Sequence, residues 1–206
     1  MKSNVSELPE LFGVIKSLGA HVWEVSFLIN VGRGDSLIPL EKEECEDVCN
    51  FLYDASFYGI AIRTVEAPFF RRVVSQRAAG NEPPETPLYR KMAKELSKVC
   101  GKPTTPSTAH TKGTGDGKGI VFVSHNGNIY PGGFLPIARG NVRKDSLREI
   151  YTKDELFMKL RNAKSFSGKC GVCQYNGVCG GSRARAFAET GNPFADDSSC
   201  GFKPCV

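Results

Sequence analysis

Apolar residues in the first hundred positions recur with two periods, which predict alternating helices and strands. Residues 7–20 carry leucine, isoleucine and valine at spacings of three and four, as in an amphipathic helix that Gly19 ends. Residues 22–30 are rich in valine, isoleucine, phenylalanine and tryptophan, as in a buried strand. The alternation continues with a helix at 42–58, a strand at 60–65 and helices at 69–76 and 88–99. This order is typical of an α/β fold with a parallel sheet.

Two parallel strands are too few for an independent sheet, because both edges stay exposed and little apolar surface is buried. We therefore expect residues 1–100 to belong to an α/β sheet or barrel whose other strands lie elsewhere. Residues 101–118 are rich in glycine, threonine, proline and serine, which predicts a linker. The alternating glycines there lack the Lys-Ser/Thr ending of a phosphate-binding P-loop, so phosphate binding is the weaker interpretation.

The remaining residues, 119–206, predict a small, loop-rich α+β domain. Residues 120–124 and 128–130 read as two short strands joined by a turn that contains Asn126-Gly127. Two helices follow at 145–151 and 154–162, and each begins with an aspartate in the N-cap position.

Composition and charge narrow the classes of function. The 206 residues are 40% hydrophobic and 24% charged, as in ordinary globular proteins. The net charge of +5 is dispersed, so no nucleic-acid partner is predicted. The N-terminal residues lack the apolar core of a signal peptide, and no apolar stretch reaches about 18 residues. We therefore expect a cytoplasmic protein without a membrane partner.

Five of the eight cysteines lie in the last 37 residues, in the spacing Cys170-x2-Cys173-x5-Cys179-x20-Cys200 followed by Cys205. Because cytosolic thiols stay reduced, this pattern favours a metal site over disulfides. Four thiolates would close the coordination of a 4Fe-4S cluster, which then cannot bind S-adenosylmethionine and suits electron transfer or structural support. Zinc is the main alternative, although four-cysteine zinc sites usually show two short-spaced pairs. Disulfides or buried thiols are the third interpretation.

Several stretches after residue 120 resemble the SPASM or twitch domain, the C-terminal extension of radical SAM enzymes. The matching stretches are residues 125–131, 133–136, 140–143, 170–173 and 179–186. The similarity is greatest to the subgroup that includes enzymes of alternative haem and modified-haem biosynthesis. It implies one auxiliary 4Fe-4S cluster on the four spaced cysteines. A second cluster is not expected, because Gly132 and Gly133 stand where two-cluster SPASM proteins have a cysteine.

The first hundred residues resemble the end of a radical SAM partial barrel, with residues 22–33 as its fifth strand and 60–65 as its sixth. The implied fold class is α/β, an incomplete barrel end followed by the iron-sulfur domain. The C-x3-C-x2-C motif that binds the catalytic cluster in this family is absent. Cys45-x3-Cys49 begins such a motif, but Leu52 stands at the third position. We therefore do not expect this chain alone to bind S-adenosylmethionine or to be catalytic.

The resemblance implies the C-terminal portion of a radical SAM oxidoreductase or maturase, whose N-terminal core a separate chain would supply. Arg33, Arg183 and Arg185 are candidates for binding an anionic small-molecule or peptide substrate, because guanidinium groups match planar anions. For the last two, pairing with nearby acids such as Glu189 is an equal alternative. A stand-alone electron carrier and a zinc-stabilised interaction domain are the other functional hypotheses.

Overall fold

The computed structural model of the chain describes residues 1–205, which divide into two compact units. The first unit contains Met1–Thr111 together with Ser199–Gly201, and the second contains Lys112–Ser198 with residues 202–205. The segment predicted to be a linker therefore begins in the first unit and ends in the second.

The first unit contains every helix and strand that the apolar pattern predicts there, in the predicted order. Its two longest helices have 14 residues each. None of the helices formed by the described residues combines the length and apolar character that a membrane crossing requires. The elements are α1 (Leu8–Ser17), β1 (Val22–Ser26), α2 (Lys42–Ala55), β2 (Ala61–Val65), α3 (Phe69–Ala78) and α4 (Pro87–Cys100).

The two strands of the first unit are parallel, in register from Val22 opposite Ala61 to Ser26 opposite Val65. The Phe27 N–H extends the ladder by donating to the Val65 carbonyl at 3.0 Å. Strand β1 is shorter than the predicted strand at 22–30, because its partner β2 ends at Val65, opposite Ser26. A parallel pair joined through a helix is the expected α/β connection.

The core of the first unit covers one face of this sheet. The Trp23 ring of β1 lies 5.3 Å from that of Phe12 in α1 and 6.3 Å from that of Phe51 in α2, measured between centroids. Phe12 and Phe51 are fully buried. Aromatic pairs in such tilted and edge-on arrangements add about 0.5–1.5 kcal/mol each beyond the area they bury. These contacts fix α1 and α2 against β1.

The second unit contains a three-stranded antiparallel sheet in the order β3-β4-β5 and four short helices. The predicted hairpin is present: the Gly127 N–H donates to the Ser124 carbonyl at 2.8 Å, and Gly127 has a φ of +89° that favours glycine. The elements are β3 (Phe122–Val123), β4 (Asn128–Tyr130), β5 (Gly140–Asn141), α5 (Leu147–Lys153), α6 (Glu155–Arg161), α7 (Gly168–Val172) and α8 (Arg183–Thr190).

The helix starts of the second unit agree only in part with the sequence. Asp154 is the N-cap of α6, as predicted, and accepts the N–H groups of Leu156 and Phe157. The prediction that Asp145 caps α5 is wrong: Ser146 is the N-cap, and Asp145 instead accepts the Asn141 N–H at 2.7 Å. Helices α7 and α8 were not predicted.

Candidate metal centre

A neighbouring carboxylate holds the backbone that carries the first two cysteines. Cys170 lies within α7, and Cys173 directly follows that helix. The Cys170 N–H donates to Oδ1 of Asp196 at 2.9 Å. Gly168 permits this contact, because it has a φ of +55° and a Cβ there would lie 2.6 Å from Oδ1 of Asp196. The glycine and the aspartate thus fix how α7 presents Cys170.

Backbone N–H groups point at the sulfurs of the next two cysteines. The Tyr175 N–H donates to Sγ of Cys173, and the Gly181 N–H donates to Sγ of Cys179, each at 3.4 Å. Both donors lie two residues after the cysteine that they contact. Hydrogen bonds to the sulfurs are one of the means by which proteins hold and tune iron-sulfur clusters.

Gly181 brings the Cys179 turn against Cys170. Gly180 and Gly181 have φ values of +73° and +66°, a backbone conformation that residues with a side chain rarely adopt. A Cβ on Gly181 would lie 3.2 Å from Sγ of Cys170 and 2.8 Å from Cβ of Asp197. The sulfurs of Cys170 and Cys179 therefore both lie against this one glycine. Cysteine sulfurs, N–H donors and a closely approaching backbone fit an iron-sulfur group.

Arg183 is buried beside the first cysteine, with a relative exposure of 4%. Its Nη2 donates to Sγ of Cys170 at 3.7 Å, and its guanidinium stacks 4.6 Å from the centroid of the Phe166 ring. Its other donors are satisfied by three backbone carbonyls, those of Gly181 at 3.1 Å, Pro193 at 3.1 Å and Ala195 at 2.7 Å. This arrangement fixes the guanidinium inside the unit.

Arg185 is also buried, but its charge has a carboxylate partner. Its Nη1 lies 3.0 Å from Oδ1 of Asp197, and that aspartate is fully buried. Oδ2 of Asp197 accepts the Ser182 N–H at 2.7 Å. The alternative that this arginine pairs with a nearby acid is therefore confirmed, with Asp197 as the acid; Glu189, named as an example, accepts the Ser198 hydroxyl.

The third predicted substrate-binding arginine lies in the first unit. Arg33 is exposed, on a single 3-10 turn at Gly32–Gly34. The Asn30 side chain steadies this loop by donating to the Leu37 carbonyl at 3.0 Å. The Arg33 side chain is accessible to an external anion, whereas the side chains of Arg183 and Arg185 make hydrogen bonds and an ion pair within the second unit.

Cys200 is grouped with the first unit, unlike the other three cysteines of the predicted set. Among residues 1–205, no group of three or more cysteine, histidine, aspartate or glutamate side chains is gathered closely enough to hold a metal ion. The four-ligand set stays a prediction.

Cys45 and Cys49 are buried on α2, as structural helix cysteines are. Burial raises the pKa of the Cys49 thiol well above its ordinary value, and the charges of Glu46, Cys45 and Cys200 add to this. Cys49 is therefore an unreactive thiol at neutral pH.

Burial also raises the pKa of the Cys170 thiol, because the thiolate loses hydration there. A hydrogen bond from the Asp197 backbone and the positive charge of Arg183 oppose that rise in pKa. Without a bound metal, Cys170 is protonated at neutral pH. Metal ligation must release this proton.

Sequence reasoning missed the residues that support the cysteines, namely Asp196, Asp197 and Phe166. The two adjacent aspartates stand shortly before Cys200, and such acids near a cysteine set were the available signal. Nothing in the local sequence marks Phe166, since it acts by stacking on an arginine 17 positions away.

Residues 116–175 match the family model SPASM, an iron-sulfur cluster-binding domain. Over 98% of its length, the chain is 34% identical to the AdoMet-dependent heme synthase of Methanosarcina barkeri and 32% identical to that of Oleidesulfovibrio alaskensis. The resemblance to radical SAM enzymes with a SPASM domain is confirmed. A further relative is the pre-heme d1 synthase of Dinoroseobacter shibae, at 25% identity over 97% of the chain.

The chain spans about half the length of these curated relatives: 54% of the Methanosarcina protein and 49% of each of the other two. Cys170 and Cys173 lie within the matched SPASM segment, and Cys179 and Cys200 follow it. The SPASM match therefore agrees with iron-sulfur binding and covers the first half of the predicted cysteine set.

Proposed function

We propose that this chain binds one auxiliary 4Fe-4S cluster through Cys170, Cys173, Cys179 and Cys200. The observation that carries the proposal is the set of N–H donors at the first three sulfurs, within a unit that contains a SPASM domain. When bound, such a cluster supplies one-electron transfer to or from a substrate, or holds the substrate.

The chain's own residues prepare this site. Asp196 orients the Cys170 backbone, while Gly181 lets the loop pass close to that sulfur. The Phe166 ring stacks on Arg183, whose guanidinium contacts Sγ of Cys170, and both Arg183 and Cys170 are buried. Exclusion of water around the sulfurs protects a cluster and lowers the local dielectric constant.

The proposed role is that of the C-terminal portion of a radical SAM oxidoreductase or maturase. The names of the relatives favour an anionic haem precursor as the substrate. Arg33 is the arginine that suits contact with such an anion, because its side chain is exposed and the other two candidates are engaged internally.

Metal analysis tests the cluster. After anaerobic reconstitution with iron and sulfide in the presence of equimolar zinc, we expect about four irons and four sulfides per chain. Iron and acid-labile sulfide are measured colorimetrically, and zinc by mass spectrometry. Stoichiometric zinc without sulfide would instead support a zinc-stabilised interaction domain.

One edge of the sheet in the first unit is free to pair with a strand of another polypeptide, which favours a partner that completes a barrel. The His21 carbonyl accepts the Ala61 N–H, and the Phe27 N–H donates to the Val65 carbonyl, so the backbone groups of these two β1-side residues face β2. Along a strand, the backbone N–H and C=O groups of successive residues point to opposite edges. The backbone groups of Val22, Glu24 and Ser26 therefore point to the outer edge. Within residues 1–205 no strand other than β2 pairs with β1, and the three side chains are exposed.

Parallel sheets are normally covered on both faces, whereas the face carrying these three residues is open. We propose that the outer edge of β1 receives a parallel strand from a polypeptide equivalent to the half of the relatives that this chain does not match. That polypeptide would supply the S-adenosylmethionine site, and we do not expect this chain alone to cleave S-adenosylmethionine.

The substitution Glu24→Pro tests the edge. Proline removes an N–H that points away from β2, so the β1–β2 ladder stays intact. We expect binding to the unmatched half of the Methanosarcina barkeri heme synthase to weaken about tenfold, because an inter-strand hydrogen bond is lost and the ring obstructs the edge. Binding is measured by isothermal titration calorimetry. Equal affinity of Glu24→Pro and Glu24→Ala would contradict the proposal.

A further inference from the structure

Among the residues that the structure describes, Arg183 is a buried cation without a carboxylate partner. Within residues 1–205 no acidic side chain lies within 4.0 Å of its guanidinium, and its recorded acceptors are three neutral carbonyls and the sulfur of Cys170. Arg185, two residues later and equally buried, has Asp197 as its counter-ion. The difference between these two arginines needs a physical reason.

A buried charge is costly unless an opposite charge compensates for it. Neutral carbonyls satisfy the hydrogen bonds of Arg183 but do not neutralise it. The one acceptor that can become negative is Sγ of Cys170, which is a thiolate when it ligates a metal. A cluster ligated by four thiolates carries net negative charge and would supply the missing counter-charge.

We propose that Arg183 is a positioning residue that holds a fixed positive charge against the cluster ligand Cys170 and thereby raises the cluster's reduction potential. This inference rests on the proposed function. On reduction the cluster takes one electron from an external donor such as dithionite, and a nearby positive charge stabilises that added electron.

The geometry keeps this charge in place. Stacking on the Phe166 ring and hydrogen bonds to the carbonyls of Pro193 and Ala195 fix the guanidinium beside Cys170. At 4% exposure, water screens the interaction only weakly. Its effect on the sulfur is therefore larger than that of a surface arginine at the same distance.

A pair of substitutions separates charge from shape. Arg183→Met and Arg183→Lys both remove the forked contacts to the carbonyls, but only the lysine variant keeps a positive charge. In a dithionite titration followed by electron paramagnetic resonance, we expect Arg183→Met to lower the equilibrium constant for reduction at least tenfold. For one electron, that corresponds to about 59 mV. Arg183→Lys should retain most of the wild-type potential.

Arg161→Met is the matched control. Arg161 donates to the carbonyls of Gly117 and Tyr151, and its guanidinium stacks 4.8 Å from the centroid of the Tyr151 ring. It therefore resembles Arg183 in its carbonyl and ring contacts, but these contacts include no cysteine. We expect its removal to leave the reduction potential unchanged.

Each outcome decides the matter. Loss of the cluster from Arg183→Met while Arg183→Lys still binds it would also support the role of the charge. Equal shifts in both variants, loss of the cluster from both, or no shift in Arg183→Met would overturn it. If the wild-type chain itself takes up no iron and sulfide, the proposed function fails first, which distinguishes the two failures.

Discussion

Replacing Cys179 with alanine is expected to abolish cluster binding. In the proposed site each cysteine ligates one iron of the cluster, and Cys179 lies on the turn that brings two of the sulfurs against Gly181. Alanine leaves that turn without a ligand. After anaerobic reconstitution, we expect iron to fall from about four per chain to background and the visible absorbance to disappear.

The matched control for this variant is Cys205→Ala. Cys205 is exposed and close to the C-terminus, so its removal should leave the iron content unchanged. Cys200→Ala should behave like Cys179→Ala, and it is the more demanding test because Cys200 is grouped with the first unit. Full iron content in Cys179→Ala would contradict the ligand set.

The second large effect concerns stability. Asp197→Leu is expected to destabilise the second unit by about 3–5 kcal/mol, because it removes the buried carboxylate that pairs with the buried Arg185. The same change also removes the acceptor of the Ser182 N–H at the start of α8. The measurement is urea-dependent hydrogen exchange of the peptide 183–190, followed by mass spectrometry.

Two controls accompany this variant. Glu149→Ala removes an exposed ion pair with Lys153 in the same unit and should leave the exchange of that peptide unchanged. The single tryptophan, Trp23, lies in the first unit, so its fluorescence reports on a region that the substitution does not touch. Exchange in Asp197→Leu equal to that in wild type would refute the importance of the buried pair.

The helices and strands of the first unit could be predicted from the sequence, because their apolar residues recur at short, regular spacings. The apolar spacing of residues 7–20 and 42–58 reflects helices that each bury one face, and those helices are present as α1 and α2. The end of β1 was not predictable, because a strand ends where its partner ends, and that partner is 39 residues further along the chain.

The surroundings of the cysteines, in contrast, could not be predicted from local sequence. Spacing identified the cysteines, but the side chains that support them are contributed by residues distant in sequence. Asp196 contacts Cys170 across 26 positions, and the carbonyl of Ala195 fixes Arg183 across 12. Arg183 and Arg185 suggested anion binding because they lie near cysteines in sequence. In the structure both are buried, and they contact the Ala195 carbonyl and the Asp197 carboxylate, respectively. Helix α8 also had a local signal, Ser182 as its N-cap and Gly191 after its end.

Native mass spectrometry of the anaerobically reconstituted wild-type chain tests the central claim most directly, since it weighs the bound group on the intact protein. We expect a single species heavier than the bare chain by one cluster of four irons and four sulfides. A mass increase equal to one zinc ion, or a chain that stays bare after reconstitution, would contradict it.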